Sequence, residues 1–209
     1  MNSQSGRVEL VRQIILRCGI GRIIETGTYM GATTEFFAKF SIPVITAECN
    51  AEYASRARTR LTTYKNVDLR VGDSVRVLED IVRGTIDRAI PTLFYLDAHW
   101  GSHLPLREET ELAVSHFANS ILIIDDFAVP DDPGYLFDDY GPDKRLNLDY
   151  LLASKLPILS IYFPSIPSFQ EDGARRGCVV VTANSALATI LDDIALLRRW
   201  KTASAAVRF

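Results

Sequence analysis

Cysteine is scarce in this chain of 209 residues: Cys18, Cys49 and Cys178, an odd number, widely spaced and without a CxxC pair. That excludes a disulfide framework and a cysteine zinc site, and it fits a reducing cytoplasm. Long apolar runs are also lacking. The longest, such as Ile121 to Ile124, fall far short of the roughly 20 residues that span a bilayer, so no membrane association is expected. Residues Met1 to Arg7 are polar, without the apolar core of a signal peptide. Basic runs are missing too. The 23 Lys+Arg face 26 Asp+Glu for a formal net charge of −3, a poor balance for gripping phosphate backbones, so no nucleic-acid partner is expected. There is no internal repeat and no low-complexity segment.

What is present is globular. Hydrophobic residues make up 47% and charged ones 23%, close to ordinary averages, and the length suits one domain, 1–209. Short β-branched runs alternate with helical patterns, the mark of a parallel sheet covered on both faces. Strands read at Arg22–Glu25, Pro43–Glu48, Val67–Val71, Thr92–Leu96, Ser120–Ile124, Ile158–Phe163 and Cys178–Thr182. An N-terminal helix is expected over Val8–Arg17, with Val8, Val11 and Ile15 at helical spacing. Further helices read at Thr33–Phe40, Ala51–Thr63, Ser74–Arg83, Leu106–Phe117 and Leu146–Lys155. A last one, Ser185–Trp200, carries Leu187, Ile190, Leu191, Ile194 and Leu197 on one face.

The fourth and fifth strands are continuously apolar, as central strands buried on both faces should be. The third alternates, as an edge strand should. That is the doubly wound pattern, and ligands then sit beyond the carboxyl ends of the strands. The connection 128–145, rich in Pro and Asp and carrying Tyr135, Phe137 and Tyr140, reads as a lid or as a solvated acidic excursion.

The first strand ends in Glu25-Thr26-Gly27-Thr28-Tyr29-Met30-Gly31-Ala32-Thr33. Gly27 permits a tight turn, and Gly31 lets a helix start close to a ligand. The GxGxxG pyrophosphate fingerprint is absent, and an acid at this turn suits a cationic ligand. The second strand ends in Glu48-Cys49-Asn50, where a carboxylate can accept two ribose hydroxyls. After the third comes Gly72-Asp73-Ser74, where Asp73 can accept from an adenine amino group. Either acid could instead cap the next helix. Together the three ends suit an adenosine with a positive charge beside it.

These segments resemble the class I S-adenosylmethionine-dependent methyltransferases over nearly the whole chain. Glu25 to Gly31 and Glu48-Cys49-Asn50 are particularly similar to the catechol O-methyltransferase group. The resemblance implies an α/β doubly wound sheet of seven strands, order 3-2-1-4-5-7-6 with the last antiparallel. It also implies S-adenosyl-L-methionine as cofactor. Glu25, Gly27, Thr28, Tyr29, Gly31 and Thr33 would hold the methionine part, Glu48 with Cys49 the ribose, and Asp73 with Ser74 the adenine.

The fourth strand ends in Asp97-Ala98-His99-Trp100 and the fifth in Asp125-Asp126. Three carboxylates at one rim cannot all stay ionised cheaply without a cation. Mg²⁺ on Asp97, Asp125 and Asp126 resolves that, and these positions match the metal ligands of the similar small-molecule O-methyltransferases. The alternative is that Asp97 binds cofactor or water while the Asp pair caps a loop. A metal-bound hydroxyl has a lowered pKa and is positioned for displacement at a methyl group.

The Asp-His-Trp-Lys stretch of catechol O-methyltransferase supplies a lysine base that is missing here. His99 is the first candidate for the base, His103 the second, and metal alone the third; His116 reads as structural. An Asn/Asp-Pro-Pro-aromatic stretch, common in methyltransferases of base amino groups, is absent. The expected function is thus methyl transfer to a hydroxyl of a small molecule (sugar, polyol or phenol), with a homodimer as a possible assembly. A metal-independent enzyme, a regulatory cofactor-binding module docking through 130–142, and other chemistry on the same fold remain alternatives.

Overall fold

The computed structural model describes residues 1–100, 103–153, 156 and 159–201. Its strands are β1 (Arg22–Thr26), β2 (Val44–Glu48), β3 (Val67–Val71), β4 (Thr92–Leu96), β5 (Ser120–Asp125), β6 (Ser160–Pro164), β7 (Cys178–Thr182) and β8 (Leu197–Arg199). Its helices are α1 (Ser5–Arg17), α2 (Ala32–Ala38), α3 (Ala51–Leu61), α4 (Ser74–Arg83), α5 (Leu106–His116), α6 (Leu148–Leu152) and α7 (Ser185–Asp192). The strands form one sheet in the order β3-β2-β1-β4-β5-β7-β6-β8. The first five pair in parallel, while β7 runs antiparallel to both β5 and β6.

Successive strand residues point to opposite faces, and each face has its own core. Ile23, Leu93, Tyr95, Ile121 and Ile123 pack under α1, α2 and α7. Ile24, Phe94, Leu96, Leu122 and Ile124 pack under α4, α5 and α6. This two-sided burial is why β4 and β5 carry no polar alternation. The edge strand β3 keeps only partial burial, as its alternating sequence suggested. Among the described residues no helix is long and apolar enough to cross a membrane.

Three expectations need correction. The helix expected over Ser185–Trp200 stops at Asp192, where Asp192 and Asp193 put two acids at the negative end of the helix dipole. Leu197–Arg199 becomes an eighth strand, antiparallel to β6 with Phe163 opposite Arg198. Ile194 and Leu197 are still buried, so the apolar spacing marked burial correctly but not helix. The helix expected over Leu146–Lys155 is reduced to Leu148–Leu152, started by Asn147, whose side chain accepts from the Tyr150 N–H; Ser154 and Lys155 lie outside the described residues, as does Ile158. Finally, α1 begins at Ser5 and turns Arg7, Leu10, Val11, Ile14 and Ile15 inward, leaving Val8 only partly buried.

Candidate active site

The carboxyl ends of β1 and β4 touch backbone to backbone. Gly27 has φ +85°, and a Cβ there would lie 2.1 Å from the Asp97 carbonyl oxygen, so only glycine fits. Gly31 (φ +77°) starts α2 in the same left-handed region, and between them Tyr29 holds φ +48° without being glycine. That uncommon backbone aims the Tyr29 N–H at Glu48 Oε2, 2.7 Å away. The Tyr29 ring stays largely exposed, edge-on to Tyr53. Thr28 and Thr46 share a 2.6 Å hydroxyl contact.

Glu25, at the end of β1, is 1% exposed. Its Oε2 accepts from the hydroxyls of Thr34 and Thr46, while its Oε1 is buried without a partner. Burial pushes its carboxyl up to about 7, because two neutral donors do not replace lost water. Thr33 accepts from the Met1 ammonium at 2.9 Å.

Glu48 does not cap α3. Asn50 does, accepting from Glu52 and Tyr53 N–H, and Glu48 Oε1 accepts from the Asn50 N–H at 2.8 Å. Cys49 beside it is exposed. Asp73 does cap its helix: one oxygen accepts from Arg76 N–H, and the other lies 3.3 Å from His103 Nε2. His103 therefore sits on the β3 side of the cleft. Ser74 Oγ and Thr26 Oγ1 are buried beside the Glu109 carboxyl and favour its charged form, yet burial still pushes Glu109 up to about 7.

The rim beyond β4 and β5 departs from the expected trio of metal-binding aspartates. Asp125 is fully buried, in a salt bridge with Arg7 and accepting from the Tyr95 hydroxyl. Burial alone would raise its carboxyl; Arg7 foremost, with the Tyr95 hydroxyl, holds it below the ordinary range. Asp125 is thus committed to a guanidinium. The groups brought together are Asp97, His99 and Asp126, whose ligand atoms all lie within 4.8 Å of one another. Burial first, then the charges of Asp125 and Asp126, hold the Asp97 carboxyl well above its ordinary value. Asp126 (φ +53°) accepts on Oδ1 from Arg176 Nε at 2.7 Å and from Asn2 Nδ2 at 3.1 Å. Its carboxyl is raised by burial and by Asp125, against Arg176.

His99 is buried, and its Nε2 has no hydrogen-bond partner. That nitrogen lies 3.9 Å from Asp97 Oδ1 and 3.9 Å from Asp138 Oδ2. Burial lowers its pKa, leaving a neutral imidazole at pH 7. The 128–145 connection closes over this rim rather than standing free. Asp138 pairs with Arg176, Tyr140 donates to the His99 carbonyl at 3.2 Å, and Tyr135 is buried with its hydroxyl on the Ile166 carbonyl at 2.8 Å.

Arg7, Arg176, Asp138, Asn2 and Glu109 were not singled out from sequence. Two carried a signal: Arg7 is three and four residues before Leu10 and Val11, and Glu109 lies between Leu106 and Ala113, so each stands on an apolar helix face. The others are brought in by loops.

The strand order and the reversed β7 are those of the class I S-adenosylmethionine-dependent methyltransferase fold. No protein-family model matches the chain, and a search of curated proteins finds no significant match. Solved structures do match in fold. One is an O-methyltransferase from Bacillus cereus in complex with SAH, at TM-score 0.61 and 19% identity, over 84% of this chain and 78% of that one. Another is the O-methyltransferase TomG from Streptomyces achromogenes, involved in tomaymycin synthesis and in complex with SAM, at TM-score 0.59 and 16% identity over 86% and 78%. A third is the SAH-bound methyltransferase PaMTH1 of Podospora anserina, at TM-score 0.57 and 15% identity over 83% and 77%.

Proposed function

We propose that this protein is an S-adenosylmethionine-dependent O-methyltransferase that acts, with Mg²⁺ or a similar dication, on a hydroxyl of a small molecule such as a sugar, polyol or phenol. The observation that carries the reading is Glu25: a buried carboxyl with an unpartnered oxygen, beside a turn that admits only glycine. Such an atom calls for a donor, and the ammonium of a methionine moiety is one. The fold and the SAM- and SAH-bound neighbours support the same cofactor.

When bound, the cofactor supplies a methyl group on a positively charged sulfur, and a dication would lower the pKa of the acceptor hydroxyl. Glu25 would hold the ammonium, a cation that would favour its charged form. Glu48, each of whose oxygens holds one backbone N–H, keeps acceptor capacity for ribose hydroxyls. Asp97 and Asp126 fit a dication: no donor among the described residues reaches the Asp97 carboxylate, and both donors on Asp126 fall on Oδ1.

A second reading omits the metal, because Arg7 and Arg176 already pair with Asp125 and Asp126. In it neutral His99 would take the proton of the acceptor hydroxyl, and the cofactor, when bound, would supply the methyl group.

Calorimetric titration of S-adenosylhomocysteine with Mg²⁺ and again with EDTA tests both. Micromolar binding supports the enzyme reading, and no binding under either condition overturns it. Turnover that survives EDTA and is lost in His99→Ala selects the metal-free form.

A further inference from the structure

The geometry points to a dication site with a nitrogen donor: His99 Nε2 together with one oxygen each of Asp97 and Asp126, built for a transition-metal dication such as Mn²⁺ or Fe²⁺ in preference to Mg²⁺. This rests on the methyltransferase reading only for its purpose, not for its existence.

The donor set comes first. Asp97, His99 and Asp126 are the one such group among the described residues whose ligand atoms lie within 4.8 Å of one another, and a modest contraction brings three atoms so placed onto one ion with bonds of about 2.1 Å. Asp125, which an all-aspartate site would need, has both oxygens engaged: Arg7 and the Asp126 N–H on Oδ1, and Tyr95 and Asn2 on Oδ2.

The second observation is His99 itself. Its side chain is 2% exposed, yet Nε2 meets no hydrogen-bond donor or acceptor, only carboxylate oxygens at 3.9 Å. A buried ring nitrogen without a partner costs free energy unless something fills the gap. The separation is too long for a hydrogen bond and leaves room for an ion between the groups.

Charge agrees. Four carboxylates, Asp97, Asp125, Asp126 and Asp138, face two guanidiniums, Arg7 and Arg176, with the Met1 ammonium acting on Asp97 and Asp125. The carboxylates still outnumber the cations, and a bound dication offsets the excess.

Imidazole nitrogen suits iron, nickel, copper and zinc, and affinity for a mixed N/O site rises from manganese through iron and cobalt, whereas Mg²⁺ holds oxygen ligands and water. With Nε2 ligating, His99 cannot be the base, and the hydroxyl proton passes to water.

The test uses the full chain and the metals alone. Mn²⁺, Co²⁺ and Mg²⁺ are titrated by calorimetry, and Mn²⁺-loaded protein is read by pulsed electron paramagnetic resonance for coupling to a ligated ¹⁴N. We expect Mn²⁺ and Co²⁺ to bind at least about tenfold more tightly than Mg²⁺, with the ¹⁴N coupling present. His99→Ala should lose the coupling and the preference. His99→Gln, whose amide can bring an oxygen near the place of Nε2, should retain Mg²⁺ binding without the preference. Equal affinity for Mg²⁺ and Mn²⁺, no ¹⁴N coupling, or no dication bound by folded protein overturns the proposal. S-adenosylhomocysteine titrated into the same samples separates the two failures. Cofactor binding without metal sinks this inference alone, and metal binding without cofactor sinks the methyltransferase reading alone.

Discussion

Glu25 and Asp125 lie near the carboxyl ends of β1 and β5 on either side of β4, with Asp125 two residues further along, and both are buried. Their chemistry is opposite. Glu25 is held by two hydroxyls and titrates near neutrality. Asp125 is held by a guanidinium and a phenol and stays ionised. Burial alone would push both carboxyls up, so the partner, not the depth, sets the charge. One end of the site therefore waits for a cation, while the other already has one in the fold.

The sharpest way to break that contrast is Arg7→Met, which leaves the Asp125 carboxylate buried and unpaired. It should cost about 3–5 kcal/mol in urea unfolding at pH 7, and adding Asp125→Asn should recover most of the loss. A change below about 1 kcal/mol would mean that Arg7 is not the source of the charge.

Next comes pH. Glu25 has a folded pKa of about 7 against an ordinary 4.5, so the folded state binds more protons between those values. Stability is then full below about pH 4.5 and falls as pH rises to 7, by at most about 3 kcal/mol. Glu109 adds a second fall in the same window. Glu25→Gln should make the slope of unfolding free energy against pH shallower in this window, with Glu109, Asp97 and Asp126 supplying the rest. Asp125 runs the other way: its contribution is present above its ordinary pKa and is lost as pH falls below that.

Cofactor affinity is the third measure. Glu25→Gln replaces a charged acceptor by a neutral one and should weaken S-adenosylhomocysteine binding by about ten- to a hundredfold, the size of one charge-assisted hydrogen bond. An unchanged dissociation constant would remove Glu25 from the site.

The smallest effect belongs to Arg56→Ala, on the exposed Glu52–Arg56 pair of α3. It should cost no more than about 0.5 kcal/mol in thermal unfolding. A larger loss would show that burial matters less to these ion pairs than the contrast between Glu25 and Asp125 requires.

The sheet and the strand-end residues were legible in the sequence because their signals are local. Apolar runs mark β4 and β5, and a glycine turn follows an acid after β1. The ion pairs were not, because Arg7 and Asp125 are 118 residues apart, and Arg176 and Asp126 are 50 apart. Asp97, Asp125 and Asp126 read as three like groups, since nothing nearby in the chain says which will meet a guanidinium. The Leu197–Arg199 strand was hidden for a related reason: its apolar residues also satisfy a helical period, and only the open edge of β6 decides between the two.

Where Gly27 presses on the Asp97 carbonyl, the loop that would hold the methyl donor and the loop that would hold the acceptor oxygen share one rigid joint. The reach between donor and acceptor is then gauged by main chain, like a fixed jaw, rather than by adjustable side chains. A side chain placed at residue 27 would spread the jaw for every acceptor alike.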